Sequence, residues 1–309
     1  MRSRPMAGRQ GMALALAVAV VALLSILVVD FLGRTWVESA TAASYRDETS
    51  ALYAARSGQE AAKLLLMADA KGATPMDAMN EDWAAGGIPL PLGDDYAFFK
   101  VTDESGKIDL NQMITGRGYP NERWIEVFRG LLTRLELDPN LAWAAVDWLD
   151  QDSEPHLSGA EDPYYTSLEV PYRAKNAMFD SVDELALVKG FEPKVMAKLR
   201  PHITVWSSGK LNINTATPMA LMALDEGITE GMATDLIKAA KEKPFKSINE
   251  ISRIPGFAEV FPRIALLIGF NSDFYSVTST AMFNDTSKAV LAVYKRTPQG
   301  VTTLYYKNL

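Results

Sequence analysis

Hydrophobic and polar positions follow different periods in different parts of the chain. An apolar run from Met12 to Val29, interrupted only by Ser25, predicts a helix about 27 Å long, which is enough to cross a bilayer core. No proline occurs between Asp30 and Ala70, and apolar residues recur there at spacings of three and four. This pattern predicts one continuous helix over residues 12–70, first membrane-spanning and then amphipathic.

The next segment predicts loops followed by a β-hairpin. Residues 71–95 contain several glycines and prolines, which favour loops. Strand-like runs then occupy residues 96–101 and 107–111, on either side of the polar stretch Asp103–Gly106. Two such runs around a short polar stretch are typical of a hairpin.

A block of helical patterns fills residues 120–270, with apolar positions at helical spacing between polar loops. The predicted helices are Glu122–Leu135, Leu141–Leu149, Val182–Val188, Lys194–Arg200, Met219–Leu224, Met232–Lys241 and Ile248–Arg253.

The period changes to two at the C-terminus. Alternating apolar residues at 275–283, 288–294 and 301–306, separated by turn residues, predict a three-stranded antiparallel meander. Strands before and after a helical block predict an α+β fold, in which one sheet is interrupted by an inserted helical domain. The predicted parts are a leader (1–11), the long helix (12–70), a β domain (71–119 and 271–309) and an inserted α-helical domain (120–270).

The residues before the apolar run decide how the first helix is processed. Arg2, Arg4 and Arg9 make this leader basic, and it ends in glycine. A Sec signal peptide requires a small-x-small cleavage site close behind a shorter apolar core, but the nearest one, Ala40–Ala42, lies too far downstream. A permanent anchor fits the length of the run.

A third interpretation keeps the helix in the mature product. The sequence around Gly11 and Met12 resembles a type IV prepilin leader, which a peptidase cuts after glycine on the cytoplasmic side. In either anchored interpretation the three leader arginines stay inside and the C-terminal part faces out. We therefore expect a single-pass inner-membrane protein with a periplasmic domain.

Composition narrows the possible chemistry. The chain has 309 residues, no cysteine and two histidines, which excludes disulfides, thiolate metal sites and thiol catalysis. Its net charge is −7, and removal of the leader arginines would leave about −10. Such an acidic body argues against general nucleic-acid binding and suits the binding of hard cations.

The strongest candidate site is an acidic segment between two predicted helices. It contains six carboxylates, which need a counter-cation if they are packed together: Asp147, Asp150, Asp152, Glu154, Glu161 and Asp162. Four of them occupy positions 1, 3, 5 and 12 of an EF-hand spacing, although Pro155 stands where an EF-hand requires glycine. Because nearly all candidate ligands are oxygens, Ca²⁺ is favoured over Zn²⁺.

Two other interpretations of this segment remain open. It can be a solvated acidic loop without metal, or two of its acids can serve a glycoside hydrolase. The sequence contains no nucleophile elbow, HExxH, P-loop or GxGxxG motif. His156 and His202 are predicted to be loop and strand-edge residues. We therefore expect no enzymatic activity.

The segment from Leu211 to Phe257 resembles tandem helix-hairpin-helix units, which bind DNA phosphates through glycine-rich turns. The turns here, at Gly227 and Gly256, have acidic neighbours such as Glu226 and Glu230. A helical scaffold without DNA binding is therefore favoured, and a membrane-anchored DNA-binding protein is the alternative.

The motifs in their order along the chain resemble the minor pseudopilin K family of type II secretion systems. The resemblance rests on Gly11–Leu14, Gly106–Asn111, Asp147–Asp152, Gly159–Tyr165, Pro171–Asn176, Glu184-Leu185 and Ile213–Ala216.

This resemblance implies a pilin-like fold with a large helical insertion and Ca²⁺ ions in the insertion. It also implies a place at the tip of the pseudopilus beside the minor pseudopilins I and J, with H in the same system, and cleavage by the prepilin peptidase. The expected function is to support pseudopilus assembly and the export of folded proteins across the outer membrane.

Leu16 is the one departure from most pilin-like chains, which carry glutamate five residues after the cut. The K family similarly lacks this glutamate. The glutamate of other subunits is thought to pair with the amino terminus of the subunit above, and an unpaired carboxylate in lipid is costly. A subunit with nothing above it offers no such partner, so Leu16 fits the tip position.

Overall fold

The computed structural model describes residues 7–72, 76–92 and 95–309. Arg2 and Arg4 of the predicted leader and Pro75, near the expected end of the first helix, lie outside these ranges. Helix α1 spans Ala7–Asp69, so it includes the end of the leader and ends one residue before the expected boundary. Every side chain from residue 11 to residue 42 is exposed. By length and composition, α1 is able to cross a membrane.

The C-terminal part of α1 packs on an antiparallel sheet through small residues. Ala51, Ala55 and Ala62 are fully buried on this face of the helix. Gly58 lies so close to strand β7 (Phe274–Phe283) that an added Cβ atom would sit 2.2 Å from the Ser279 Oγ. Helix and sheet therefore approach more closely than larger side chains would permit.

The main sheet has five strands in the order β1-β2-β7-β8-β9, and all neighbours are antiparallel. The pairing of β2 with β7 thus joins the two strands before the helical block and the three after it into one sheet, which confirms the α+β fold class. The strands are β1 (Ile88–Leu92), β2 (Asp95–Asp103), β7 (Phe274–Phe283), β8 (Thr286–Thr297) and β9 (Gly300–Asn308).

The predicted hairpin across Asp103–Gly106 is wrong. Strand β2 pairs with β1 on one side and with β7 on the other. The chain leaves the sheet after Asp103, and strand β3 (Ile108–Asp109) pairs in parallel with β4 (Ile203–Thr204). The polar stretch is therefore an exit from the sheet, not a turn within it.

Helices and short parallel strands occupy the segment between β2 and β7. The predicted helix over 182–188 is a 3-10 helix over Val182–Leu187. Helix α9 (Phe257–Ile264) was not predicted from the sequence pattern, and it contains Pro262. Two further 3-10 helices cover Glu104–Gly106 and Leu110–Met113. The α-helices and other short strands of the segment are α2 (Glu122–Arg134), α3 (Leu141–Leu149), α4 (Asp162–Tyr165), α5 (Pro193–Leu199), β5 (Leu211–Asn212), α6 (Pro218–Ala223), α7 (Glu230–Glu242), α8 (Ile248–Ile251), α9 (Phe257–Ile264) and β6 (Ile268–Gly269).

A buried polar cluster joins the helical segment to the sheet. The Asp103 carboxylate accepts hydrogen bonds from Ser272 Oγ (2.5 Å), Thr215 Oγ1 (2.5 Å), Asn212 Nδ2 (3.1 Å) and Ser105 N (2.7 Å). Burial nevertheless raises its pKa to about 6, because loss of water outweighs these bonds. One side chain thus fixes the exit from the sheet, the helical segment and the return strand together.

Candidate metal centre

The acidic segment forms the loop between α3 and α4. Asp147 lies in the last turn of α3, and Asp150 follows as the capping residue of that helix. The loop turns at Asp152, whose Oδ1 accepts a hydrogen bond from the Glu154 backbone N–H at 2.9 Å. It ends at Glu161, the residue before α4. Helix α3 and this turn therefore determine where the carboxylates meet.

The fold brings three of the predicted ligands within reach of one ion. Carboxylate oxygens of Asp150, Asp152 and Glu161 lie within 4.8 Å of one another. Asp150 and Glu161 are each only 2% exposed, whereas Asp152 is exposed. The site thus has a buried floor and an open side.

Several oxygens in this group have no hydrogen-bond donor. Both Asp150 carboxylate oxygens and Glu161 Oε1 are buried without a partner among the described residues. A buried carboxylate oxygen without a donor is costly, since it has lost water and gained nothing. Residues with this geometry and donor set fit a hard cation with oxygen ligands, such as Ca²⁺.

The burial and close approach of these carboxylates also raise their pKa values. Burial, followed by repulsion from Asp152 and Asp147, raises the pKa of Asp150 to about 6. Burial, followed by repulsion from Asp147 and Asp150, raises the pKa of Glu161 to about 7. Near neutral pH these side chains are thus poised to exchange protons for a metal ion.

Asp147 is fully buried and has a partner of its own, His156. The His156 Nδ1 lies 2.5 Å from Asp147 Oδ1, and the His156 backbone N–H also donates to the Asp147 carboxylate. Gly159 packs directly against it, because a Cβ atom there would sit 1.8 Å from Asp147 Oδ2. Asp147, Asp150 and His156 form a second possible ligand group that shares Asp150 with the first.

Two predicted ligands lie apart from these groups. Glu154 is exposed. Asp162 accepts a hydrogen bond from the Ala174 backbone N–H at 2.9 Å and lies 3.8 Å from the Arg173 guanidinium. Glu154 and Asp162 are therefore weaker candidates than Asp150, Asp152 and Glu161.

The structure adds Asn176 as a candidate ligand, a role that the sequence pattern did not indicate. Asn176 Nδ2 donates to the Asp152 carbonyl oxygen at 3.0 Å, and Asn176 Oδ1 is buried without a partner among the described residues. Its backbone adopts a positive φ of 50°. Asparagine tolerates this conformation better than most residues, and that preference was the available signal. An amide oxygen is also a usual Ca²⁺ ligand.

A second acidic group, formed by Asp69, Asp77 and Glu81, contains its own cation. The Arg296 guanidinium forms ion pairs with both Asp69 and Asp77. Asp77 also accepts hydrogen bonds from the Tyr275 hydroxyl and the Ser272 backbone N–H, each at 2.7 Å. This group therefore has an internal cation, although burial outweighs the attraction of Arg296 and raises the pKa of Asp69 to about 6.

A side chain of the protein itself occupies the helix-hairpin-helix turn at Gly227. The Gly227 backbone N–H donates to Asp225 Oδ1 at 2.9 Å, and Arg263 donates to both oxygens of the same carboxylate at 2.5 and 2.8 Å. An intramolecular carboxylate thus sits against the amide that would meet a DNA phosphate in such a hairpin.

Sequence profiles described as type II secretion system (T2SS), protein K, match residues 106–208 and 211–268. Together the two segments cover more than half of the chain and include the acidic loop and the hairpin turn. The chain belongs to the type II secretion system protein K family.

Full-length relatives support the same family. Type II secretion system protein K of Aeromonas hydrophila is 26% identical, and the alignment covers 94% of this chain and 95% of the relative. The protein of the same name from Pseudomonas aeruginosa is 27% identical over 95% of this chain and 90% of its own.

A solved structure shares the fold. One chain of the crystal structure of the GspK–GspI–GspJ complex from the enterotoxigenic Escherichia coli type 2 secretion system matches with a TM-score of 0.75 at 18% identity. The match covers 87% of this chain and 99% of that chain. The long helix, the antiparallel sheet and the further helices thus form an arrangement known in this family.

Proposed function

We propose that this chain is the minor pseudopilin K of a type II secretion system and that it supports pseudopilus initiation and the export of folded proteins. This proposal rests on the family membership of the chain and on helix α1, which has two parts with different surroundings. Its first part exposes an apolar surface from residue 12 to residue 29, and its second part is buried against the sheet. Such a helix can leave the bilayer and pack in a filament while it carries the head.

Secretion of folded enzymes tests this role. We expect that deletion of this chain from its own secretion system leaves exoproteins in the periplasm and that the intact chain restores export. Unchanged export in the deletion strain would refute the proposal. Tight binding of duplex DNA by the purified protein at low salt would instead favour the membrane-anchored DNA-binding alternative.

We propose that prepilin peptidase cuts between Gly11 and Met12 and that the head is periplasmic on a single-pass inner-membrane helix. The basic leader and the glycine before the apolar run support this. N-terminal sequencing of the mature protein should begin at Met12. A start at Ala43 would indicate a Sec signal peptide.

We propose that the chain assembles with minor pseudopilins I and J, and with H of the same system. The structural neighbour is a chain of a complex whose title names GspI and GspJ with GspK. Co-purification from membranes should recover I and J with this chain. Recovery of this chain without them from a strain that expresses all three would refute the assignment.

We propose that Leu16 marks the tip position. Its side chain is exposed on α1 within the apolar run, where an acid would need a partner. We expect Leu16→Glu to reduce tip assembly and secretion, while Leu16→Ala leaves both close to normal. Equal secretion by the two variants would remove the support for this role.

We propose that the loop between α3 and α4 binds Ca²⁺ through Asp150, Asp152 and Glu161, with Asp147 and Asn176 as further candidates. The unpaired buried oxygens support this assignment. The ion would join the end of α3 to the start of α4 and to the segment around Asn176. Its role is thus structural, and the protein is proposed to have no enzymatic activity.

A further inference from the structure

A cleft of about 600 Å³ runs beside α2, between this helix, the end of α6 and α9. Four arginines line it, although the chain as a whole is acidic: Arg123, Arg129, Arg134 and Arg263. We call it the arginine cleft. It lies apart from the acidic loop, whose residues are not among those that line it.

Two of the four arginines are neutralised and two are not. Arg263 pairs with Asp225, and Arg129 pairs with Glu126 at 2.7 Å. Arg123 is exposed and forms no ion pair within 4.0 Å in the described part of the chain. Uncompensated positive charge on the wall of a cleft attracts an anionic ligand.

Arg134 also keeps its charge uncompensated. Its Nη2 donates to the backbone carbonyl oxygens of Glu226 and Ile228, both at 3.2 Å. These bonds fix the guanidinium at the rim of the cleft, but no carboxylate of the described residues pairs with it. The charge is therefore held in place and remains available to a partner.

Arg129 does not offer a further charge to the cleft. Its Nε is buried without a hydrogen-bond acceptor among the described residues, and its Nη1 binds Glu126. The charges available to a ligand are therefore those of Arg123 and Arg134.

The shape of the cleft limits the size of the occupant. Arg123, Val127, Gly130 and Arg134 line one face of α2. The two outer arginines are separated by about 16 Å along the helix. At Gly130, helices α2 and α6 are in close contact, because an added Cβ atom there would lie 2.9 Å from the Ala223 carbonyl oxygen. An extended segment of about five residues spans this distance.

The walls favour a peptide over a nucleic acid. Glu126, Asp225 and Glu226 also line the cleft, so a continuous phosphate backbone would meet negative charge along it. Apolar side chains, including Leu224 and Leu267, form part of the lining. A segment with acids only near its ends and apolar residues between them matches both features.

We propose that the arginine cleft docks a short acidic segment of a partner protein, with carboxylates at Arg123 and Arg134 and apolar side chains between them. This surface is independent of the assignment of the pseudopilus role, because it rests on the cleft alone.

The test measures binding of a fluorescein-labelled peptide, Glu-Ala-Leu-Ala-Glu, to the full-length protein in detergent by fluorescence anisotropy. We expect saturable binding that weakens with added salt. The matched peptide with glutamine at both ends should bind about tenfold more weakly. Arg123→Glu should weaken binding of the acidic peptide by a similar factor, and Arg253→Glu, at an exposed arginine that does not line the cleft, should not.

Arg134→Gln provides a second variant whose folding is checked by its thermal unfolding curve. Loss of binding in this variant with an unchanged unfolding curve supports the proposal. Equal binding of the two peptides, or no effect of Arg123→Glu, would overturn it. Tighter binding of a single-stranded oligonucleotide than of the acidic peptide, lost in Arg123→Glu, would also overturn it and assign the cleft to nucleic acid.

Discussion

Two acidic groups in this molecule differ in one respect, the presence of an internal cation. At the base of α1, Arg296 bridges Asp69 and Asp77. In the loop after α3, Asp150 and Glu161 are each 2% exposed, and both Asp150 carboxylate oxygens and Glu161 Oε1 lack donors among the described residues. Both groups bring three carboxylates within 4.8 Å.

The comparison shows that proximity of acids does not by itself predict a metal site. The Arg296 group is complete, since its arginine, a tyrosine hydroxyl and backbone N–H groups supply the donors. The loop group is incomplete, and an external cation would supply what Arg296 supplies elsewhere. Substitutions can therefore remove the internal cation from one group or the unpaired charges from the other.

Removal of the internal cation should have the largest effect. Arg296→Met leaves Asp69 and Asp77 without their guanidinium partner, and breaking a buried pair typically costs about 3–5 kcal/mol. The free energy of unfolding from urea titration of the full-length protein should fall by this amount. Arg253→Met, at an exposed arginine, serves as control and should change it by less than about 0.5 kcal/mol. A similar loss in both variants would contradict the role of Arg296.

Crowding the loop should have the next largest effect. In Gly159→Ala the new Cβ atom would lie 1.8 Å from Asp147 Oδ2, so the carboxylate has to move. We expect a loss of about 1–3 kcal/mol in unfolding free energy and weaker Ca²⁺ binding. Gly116→Ala is the matched control, because nothing lies within 4 Å of its added Cβ atom. A stable Gly159→Ala protein with normal Ca²⁺ binding would show that Asp147 does not organise the loop.

Neutralising the unpaired acids should stabilise the metal-free protein. The double variant Asp150→Asn with Glu161→Gln removes two buried charges that lack partners. We expect it to be more stable than the natural chain in EDTA by about 1–2 kcal/mol and to lose any stabilisation by Ca²⁺. A destabilised double variant in EDTA would mean that the loop carboxylates are already satisfied.

The pH dependence should show the smallest effect. The pKa values of Asp150 and Glu161 are raised to about 6 and about 7, so the folded state binds protons more readily than the unfolded state. Their contribution to stability is therefore present at low pH and is lost as the pH rises through about 6 to 7. When the pH is lowered from 8 to 5.5 in EDTA, the melting temperature of the natural chain should rise by roughly 2–4 °C relative to that of the double variant. An equal response of the two proteins would contradict these shifts.

The hydrophobic pattern predicts the long helix and the three C-terminal strands with boundaries close to those observed, because their apolar periods are strong and local. The pattern misplaces the exit from the sheet at Asp103–Gly106. These residues resemble a turn, but Asp103 is buried and its carboxylate accepts hydrogen bonds from Asn212, Thr215 and Ser272. These contacts join residues more than one hundred positions apart, and no local pattern contains them.

The candidate metal site could be predicted only in part, because some of its residues follow a local spacing and others do not. Asp150, Asp152 and Glu161 follow an EF-hand-like spacing, and the fold brings them together. Glu154 shares that spacing but is exposed, and Pro155 stands where an EF-hand turn needs glycine. His156 reaches the group through the path of the loop, and Asn176 reaches it from the segment after α4. Sequence spacing reveals neither contact.

The most direct test of the loop assignment is isothermal titration calorimetry of the full-length, EDTA-treated protein with Ca²⁺. We predict saturable binding by the natural chain and by Arg253→Met, and no binding by Asp150→Asn with Glu161→Gln, although that double variant stays folded. The same heat in the natural chain and in the double variant, or none in either, would contradict the account of the two acidic groups.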